Sequence, residues 1–171
     1  RRPMSAPKPK TGEQAMQEKN VLVPHNFTEH DEKALDYATR IFAHQPRTTI
    51  TLFHLYTPLP RTERLEPGTK DSRTNTAVLI KQNIWDKENE LQALANRLTA
   101  SGGFTPEQIK IKLKARRQSV GKELLEAVEH GGYNSIVVSA DRDKSPRRLF
   151  GENVYETLLG RLKETEILIV A

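Results

Sequence analysis

Ser135-Ile-Val-Val-Ser-Ala-Asp-Arg-Asp-Lys-Ser-Pro-Arg-Arg-Leu-Phe-Gly-Glu-Asn-Val154 begins as an apolar run, becomes a polar basic loop and ends where a helical pattern starts. The run suits a buried strand, and the glycine before Val154 suits a helix entry. In an α/β protein, the carboxyl end of a strand facing a helix amino terminus is where phosphates bind, because free backbone N–H groups point there. The rest of the chain decides whether that setting exists.

Working outward, strand and helix patterns alternate. Asn20-Val-Leu-Val-Pro24 reads as a short buried strand stopped by proline. Thr28-Glu-His-Asp31 reads as a helix cap with acid in the first turn, followed by Ala34, Leu35, Ala38, Ile41 and Phe42 at helical spacing. Thr48 to Tyr56 is rich in β-branched and aromatic residues and forms the second strand. Thr57 to Thr76 holds prolines, a glycine and many charges, and reads as a lid or variable excursion. A long helix is expected over Ala77 to Ala100, with Ile84, Leu91, Leu94 and Leu98 inward and Trp85 in a packing role. Ser101-Gly-Gly103 ends it.

Gln108 to Arg116 alternates strictly. Ile109, Ile111, Leu113 and Ala115 face one way, and Lys110, Lys112, Lys114 and Arg116 the other. A strand with one cationic face belongs at a sheet edge. Ser119 is placed to cap a third helix with Leu124, Leu125 and Val128 inside, ending near Gly131-Gly132. Ile136 to Val138 is the fourth strand. Val154, Leu158, Leu159 and Leu162 mark the fourth helix, and Glu166 to Ala171 the fifth strand. The order β-α-β-α-β-α-β-α-β requires a three-layer α/β/α sandwich around a five-stranded, mostly parallel sheet, because each crossover is right-handed.

Composition narrows the function. The 171 residues suffice for one core. Residues 1–19 have little to bury and read as a disordered tail or an expression remnant, leaving 20–171 as the domain. That tail carries +3 of the net charge of +5, so the folded part is only weakly basic. No run approaches the ~18 apolar residues of a membrane span. With no cysteine there is no disulfide framework or thiolate chemistry, which fits a cytoplasmic protein. His25 and His30 lack a metal-ligand spacing, and His54 reads as a satisfied core or cleft histidine. No nucleophile elbow or locally paired carboxylates are visible, so no enzyme is expected. The cationic strand lacks interleaved aromatics, so nucleic acid is not the expected partner.

Val21 to Leu35, Leu52-Phe-His-Leu55, Ser119-Val-Gly-Lys-Glu-Leu-Leu125 and Asn134-Ser-Ile-Val-Val-Ser139 together resemble the universal stress protein family from about Asn20 to Ala171. The resemblance implies strand order 3-2-1-4-5, ATP or another adenine nucleotide as ligand, and a homodimer paired through Ile167, Leu168, Ile169 and Val170. ATP-binding members of the family carry Gly-x2-Gly-x9-Gly-Ser/Thr after the fourth strand. Here Ser139 and Arg142 stand at the first two glycine positions. Gly151 follows after a loop one residue shorter, and Glu152 replaces the hydroxyl. The usual aspartate of the first strand is Asn26. Nucleotide contacts carried over from the family fall on Pro24, Asn26, Leu55, Ser139, Arg142, Gly151, Glu152 and Asn153. Arg147 and Arg148 join Arg142 as side chains able to grip phosphate by bidentate forks. The competing reading of these arginines and Lys144 is a solvated loop, with Asp141, Asp143 and Glu152 offsetting the charge. Missing glycines favour the latter, hence a non-enzymatic stress-response or regulatory protein with a degenerate nucleotide site.

Overall fold

Strand β1 (Lys19–Pro24) is apolar on both sides, as a central parallel strand must be: Val21, Leu22 and Val23 are all fully buried. The computed structural model describes residues 18–58, 70–140 and 154–171, and of 70–76 only the backbone. After β1 come α1 (Glu29–Phe42), β2 (Thr48–Tyr56), α2 (Lys70–Ala100), a 3-10 turn at Pro106–Gln108, β3 (Ile109–Ala115), α3 (Val120–Gly131), β4 (Ser135–Ser139), α4 (Val154–Arg161) and β5 (Glu166–Val170). The sheet runs β3-β2-β1-β4-β5 with every neighbouring pair parallel. The expected order therefore holds, and the cationic strand β3 lies at an edge.

Side-chain alternation along β1 divides the core. Val21 and Val23 pack with Ala34, Leu35, Ala38 and Phe42 of α1 and with Leu91, Leu94 and Leu98 of α2. Leu22 faces the other way, toward Leu124 and Val128 of α3 and Val154 and Leu158 of α4. Two residues of the expected helical stripes, and the tryptophan expected to pack, are not inside. Ile41, Leu159 and Trp85 are 38%, 58% and 59% exposed. Ile41 and Leu159 sit at an acceptable helical spacing but just off the arc that meets the sheet, a difference of one position that periodicity tolerates, and Trp85 lies one position past Ile84, outside its helix's inner stripe.

Helix α2 starts at Lys70, seven residues earlier than its pattern indicates. Lys70-Asp-Ser-Arg-Thr-Asn-Thr76 contains no apolar residue, so nothing there marks a helical face. The expected excursion from Thr57 is correspondingly shorter, and residues 59–69 lie outside the described part. So do residues 1–17, which make up most of the expected tail.

Ser119 takes the N-cap position of α3, but its side chain makes no capping bond. Glu123, only 1% exposed, reaches back instead and accepts from the backbone N–H groups of Arg117 (2.7 Å) and Gln118 (3.0 Å). Gly132, with φ +69°, closes the helix in the left-handed conformation that suits glycine. Among the described residues, no helix is long and apolar enough to cross a membrane.

Candidate functional site

The strand order reverses at β1, which pairs with β2 on one side and β4 on the other. The β1–β2 ladder runs the full length from Lys19 to Pro24, whereas β1 and β4 register only at Val21–Ser135 and Leu22–Ile136. The carboxyl ends around this reversal are where an open α/β sheet receives ligands.

The turn after β1 is built around a carboxylate. Thr28 caps α1 and Asp31 completes the capping box. Asp31 Oδ2 accepts from the backbone N–H of Asn26 (2.9 Å) and from the Thr28 hydroxyl (2.8 Å). Its Oδ1 accepts from the Ser139 hydroxyl at 2.8 Å, across 108 residues of sequence. Asp31 is 2% exposed and Ser139 5%, so the bond is shielded from water. The Ser139 carbonyl accepts in turn from the Tyr155 hydroxyl at 2.8 Å, and burial pushes that phenol up to about 12. The serine standing at the first glycine position is thus occupied internally.

Phe27 adopts φ +60°, a conformation unfavourable for a bulky residue. Its ring lies against His25 and His54, at centroid distances of 5.1 and 5.2 Å, and the Lys87 ammonium sits 4.5 Å from its centre. Phe27 N–H donates to His25 Nδ1 at 3.2 Å, which places the proton of the neutral ring on Nε2. That nitrogen is buried without a hydrogen bond, with Glu32 Oε1 3.5 Å away. His54 donates from Nδ1 to the His25 carbonyl at 2.9 Å, leaving Nε2 as its acceptor. Burial holds both imidazoles below the usual histidine range. His54 is therefore satisfied, as its apolar strand context indicates.

Beside this cluster lies a cavity of about 240 Å³. Asn26, His54 and Leu55 line it from the ends of β1 and β2, and Asn83, Ile84 and Lys87 from α2. Of the residues expected at a ligand, Asn26 and Leu55 meet here. Pro24 is buried as the last residue of β1, and its neighbour His25 donates its N–H to Phe53 O. Ser139 joins Asp31. Arg142, Arg147, Arg148, Gly151, Glu152 and Asn153 lie outside the described residues. The α2 contribution was not anticipated. Ile80, Asn83, Ile84 and Lys87 recur at i, i+3, i+4 and i+7, one helical face, but two polar members hide the stripe from a search for apolar periodicity. Asp31 was legible as a cap and not as the partner of Ser139, since no local signal connects positions so far apart.

The sequence profile of the universal stress protein family matches residues 18–165. The chain belongs to the universal stress protein family. By sequence, no curated protein matches. Solved universal stress proteins share the fold at low identity. The protein from Lactobacillus plantarum is 12% identical with TM-score 0.62, the comparison covering 91% of this chain and 99% of that one. A family member from Burkholderia pseudomallei is 18% identical with TM-score 0.61, covering 91% and 97%. A universal stress protein solved in complex with cAMP is 18% identical with TM-score 0.55, covering 90% and 96%. At these identities the likeness is one of fold.

Proposed function

We propose that this universal stress protein is a non-enzymatic regulatory protein whose nucleotide site keeps its nucleoside end and has lost its triphosphate end. The cavity at Asn26 and Leu55 carries this reading. At about 240 Å³ it approaches the ~300 Å³ at which pockets for drug-sized ligands begin, a size on the scale of a nucleoside. Asn26 and Asn83 offer amide donors and acceptors, and His54 Nε2 an acceptor, the groups that orient a base or ribose. The cAMP complex of a protein with this fold supports an adenine nucleotide as the ligand class. Ser139 supports the loss. Its side chain stands where a phosphate loop needs a bare backbone, and its hydroxyl is committed to Asp31. Glu152 adds a negative charge where the family places a hydroxyl.

The same reading includes a homodimer through β5. That strand is the sheet edge opposite β3 and is almost wholly apolar in Ile167 to Val170, with Ile169 48% exposed. Pairing two such edges satisfies open backbone groups and buries apolar side chains.

Calorimetric titration tests the ligand. Adenosine and AMP are expected to bind with similar affinity, and ATP no more tightly than AMP. Tenfold tighter ATP binding would overturn the reading and point to the loop arginines as replacements for the glycines. For the dimer, sedimentation is expected to show a two-chain species that Ile169→Lys converts to monomer; a monomeric parent protein would contradict it.

A further inference from the structure

The opposite edge of the sheet has different chemistry. Lys110, Lys112 and Lys114 of β3 stand in register with Thr51, Phe53 and Leu55 of β2. Phe53 belongs to the α3/α4 side of the core, so the lysines share that face. Ile109, Ile111 and Leu113 pack against the other side, toward α1 and α2, and remain half-buried. The edge thus presents a cationic row on one face and an incompletely covered apolar row on the other.

The row is only partly neutralised. Lys114 is held by Glu123 at 2.9 Å and Glu126 at 3.0 Å. Lys110 and Lys112 are exposed and form no ion pair with another described residue. Arg116, also exposed, prolongs the row, because its N–H still pairs with the Tyr56 carbonyl at 2.8 Å. Among the described residues β3 is hydrogen-bonded to β2 alone, so its outer backbone edge has no strand beside it.

We propose that β3 is a docking edge for an extended acidic peptide, added as a sixth strand, in which carboxylates alternate with apolar residues. The alternation follows from the pleat. On an added strand every second side chain lies beside Lys110, Lys112 or Arg116, and the others beside Ile109, Ile111 and Leu113. Directly opposed side chains across strands sit ~4.5–5.5 Å apart at Cβ, so carboxylates meet the ammonium groups while apolar residues extend the core cluster. A second copy of β3 is excluded by the same rule, because it would set lysine against lysine. The lysines therefore both block self-association and select a partner of opposite charge. Backbone hydrogen bonds to a strand suit a peptide better than a nucleic acid, which would use the cations alone and find no aromatic platform here.

The test uses a fluorescent peptide alternating glutamate and valine. A control of identical composition has its glutamates and valines in separate blocks. The alternating peptide is expected to bind at least tenfold more tightly than the blocked one, and to slow amide hydrogen exchange across Ile109–Ala115. Lys110→Glu with Lys112→Glu is expected to abolish that binding and to confer binding of a lysine–valine alternating peptide, a gain that mere unfolding cannot produce. Equal binding of the blocked control, or unchanged affinity in the charge-reversed protein, would overturn the proposal. So would absence of binding, or tighter binding of a single-stranded oligonucleotide at the same edge.

Discussion

The hydroxyl of Ser139 donates to the buried carboxylate of Asp31 at 2.8 Å, tying the end of β4 to the first turn of α1. This bond spans the part of the sheet where the β1–β4 ladder has already ended. Ser139→Ala leaves a buried carboxylate oxygen short of a donor and is expected to cost about 1–3 kcal/mol. Asp31→Ala also strips the acceptor from Asn26 N–H and the Thr28 hydroxyl, and is expected to cost more, about 3 kcal/mol. In the Asp31→Ala background, Ser139→Ala should cost markedly less than alone. Urea midpoints with unchanged slopes check this; additive losses would show that the pair is not coupled.

The buried histidines make stability depend on pH. Burial holds His25 and His54 below the range they have in an unfolded chain, against the attraction of Asp31, Glu32 and Glu90 and with the repulsion of Arg97 and Lys87. The folded state therefore binds fewer protons than the unfolded one once the pH falls below ~6.5. Their contribution is complete above that value and is lost as the pH drops through the depressed folded range. The urea midpoint should be lower at about pH 5.5 than at about pH 7.5. Asparagine at both positions can keep an acceptor for Phe27 N–H and a donor to the His25-position carbonyl, and should flatten the profile. An equally steep profile in that variant would assign the dependence elsewhere.

Two glutamates hold Lys114, and only one should matter to the fold. Glu123 is buried and also caps α3, whereas Glu126 is exposed. Burial pushes the Glu123 carboxyl up, but Lys114 and the Arg117 and Gln118 N–H groups outweigh it and hold it below its ordinary value. Its contribution is thus present above ~4.5 and lost as the pH falls through the lower folded value. Glu123→Ala is expected to cost about 2–3 kcal/mol and Glu126→Ala at most about 0.5 kcal/mol. Equal thermal shifts for the two variants would contradict this account.

What was legible in the sequence were the features that repeat locally. The β-branched run of β2, the strict alternation of β3 and the glycine at the end of α3 each carry their own period or turn chemistry, and their bounds agree with the fold to within a residue. The start of α2 was hidden because Lys70–Thr76 has no apolar member to set a phase. Ile41 and Leu159 show the converse, since apolar residues one step off a buried arc satisfy the period yet face outward. At the site, Asn26 follows from the strand end of the topology, and Leu55 from the resemblance to the family. Asn83 and Lys87 do not, because a polar residue facing a cleft has the same local pattern as one facing water.

If the cavity at Asn26 and Leu55 receives the nucleoside part of an adenine nucleotide, AMP should perturb the residues that line it. Amide chemical shifts of isotope-labelled protein, followed during titration with AMP, report on those residues one by one. Saturable shifts are expected, centred on Asn26, Leu55 to Thr57 and Asn83 to Lys87 and reproduced by adenosine. Shifts absent from those positions at saturating AMP, or produced by AMP and not by adenosine, would contradict a nucleoside site there.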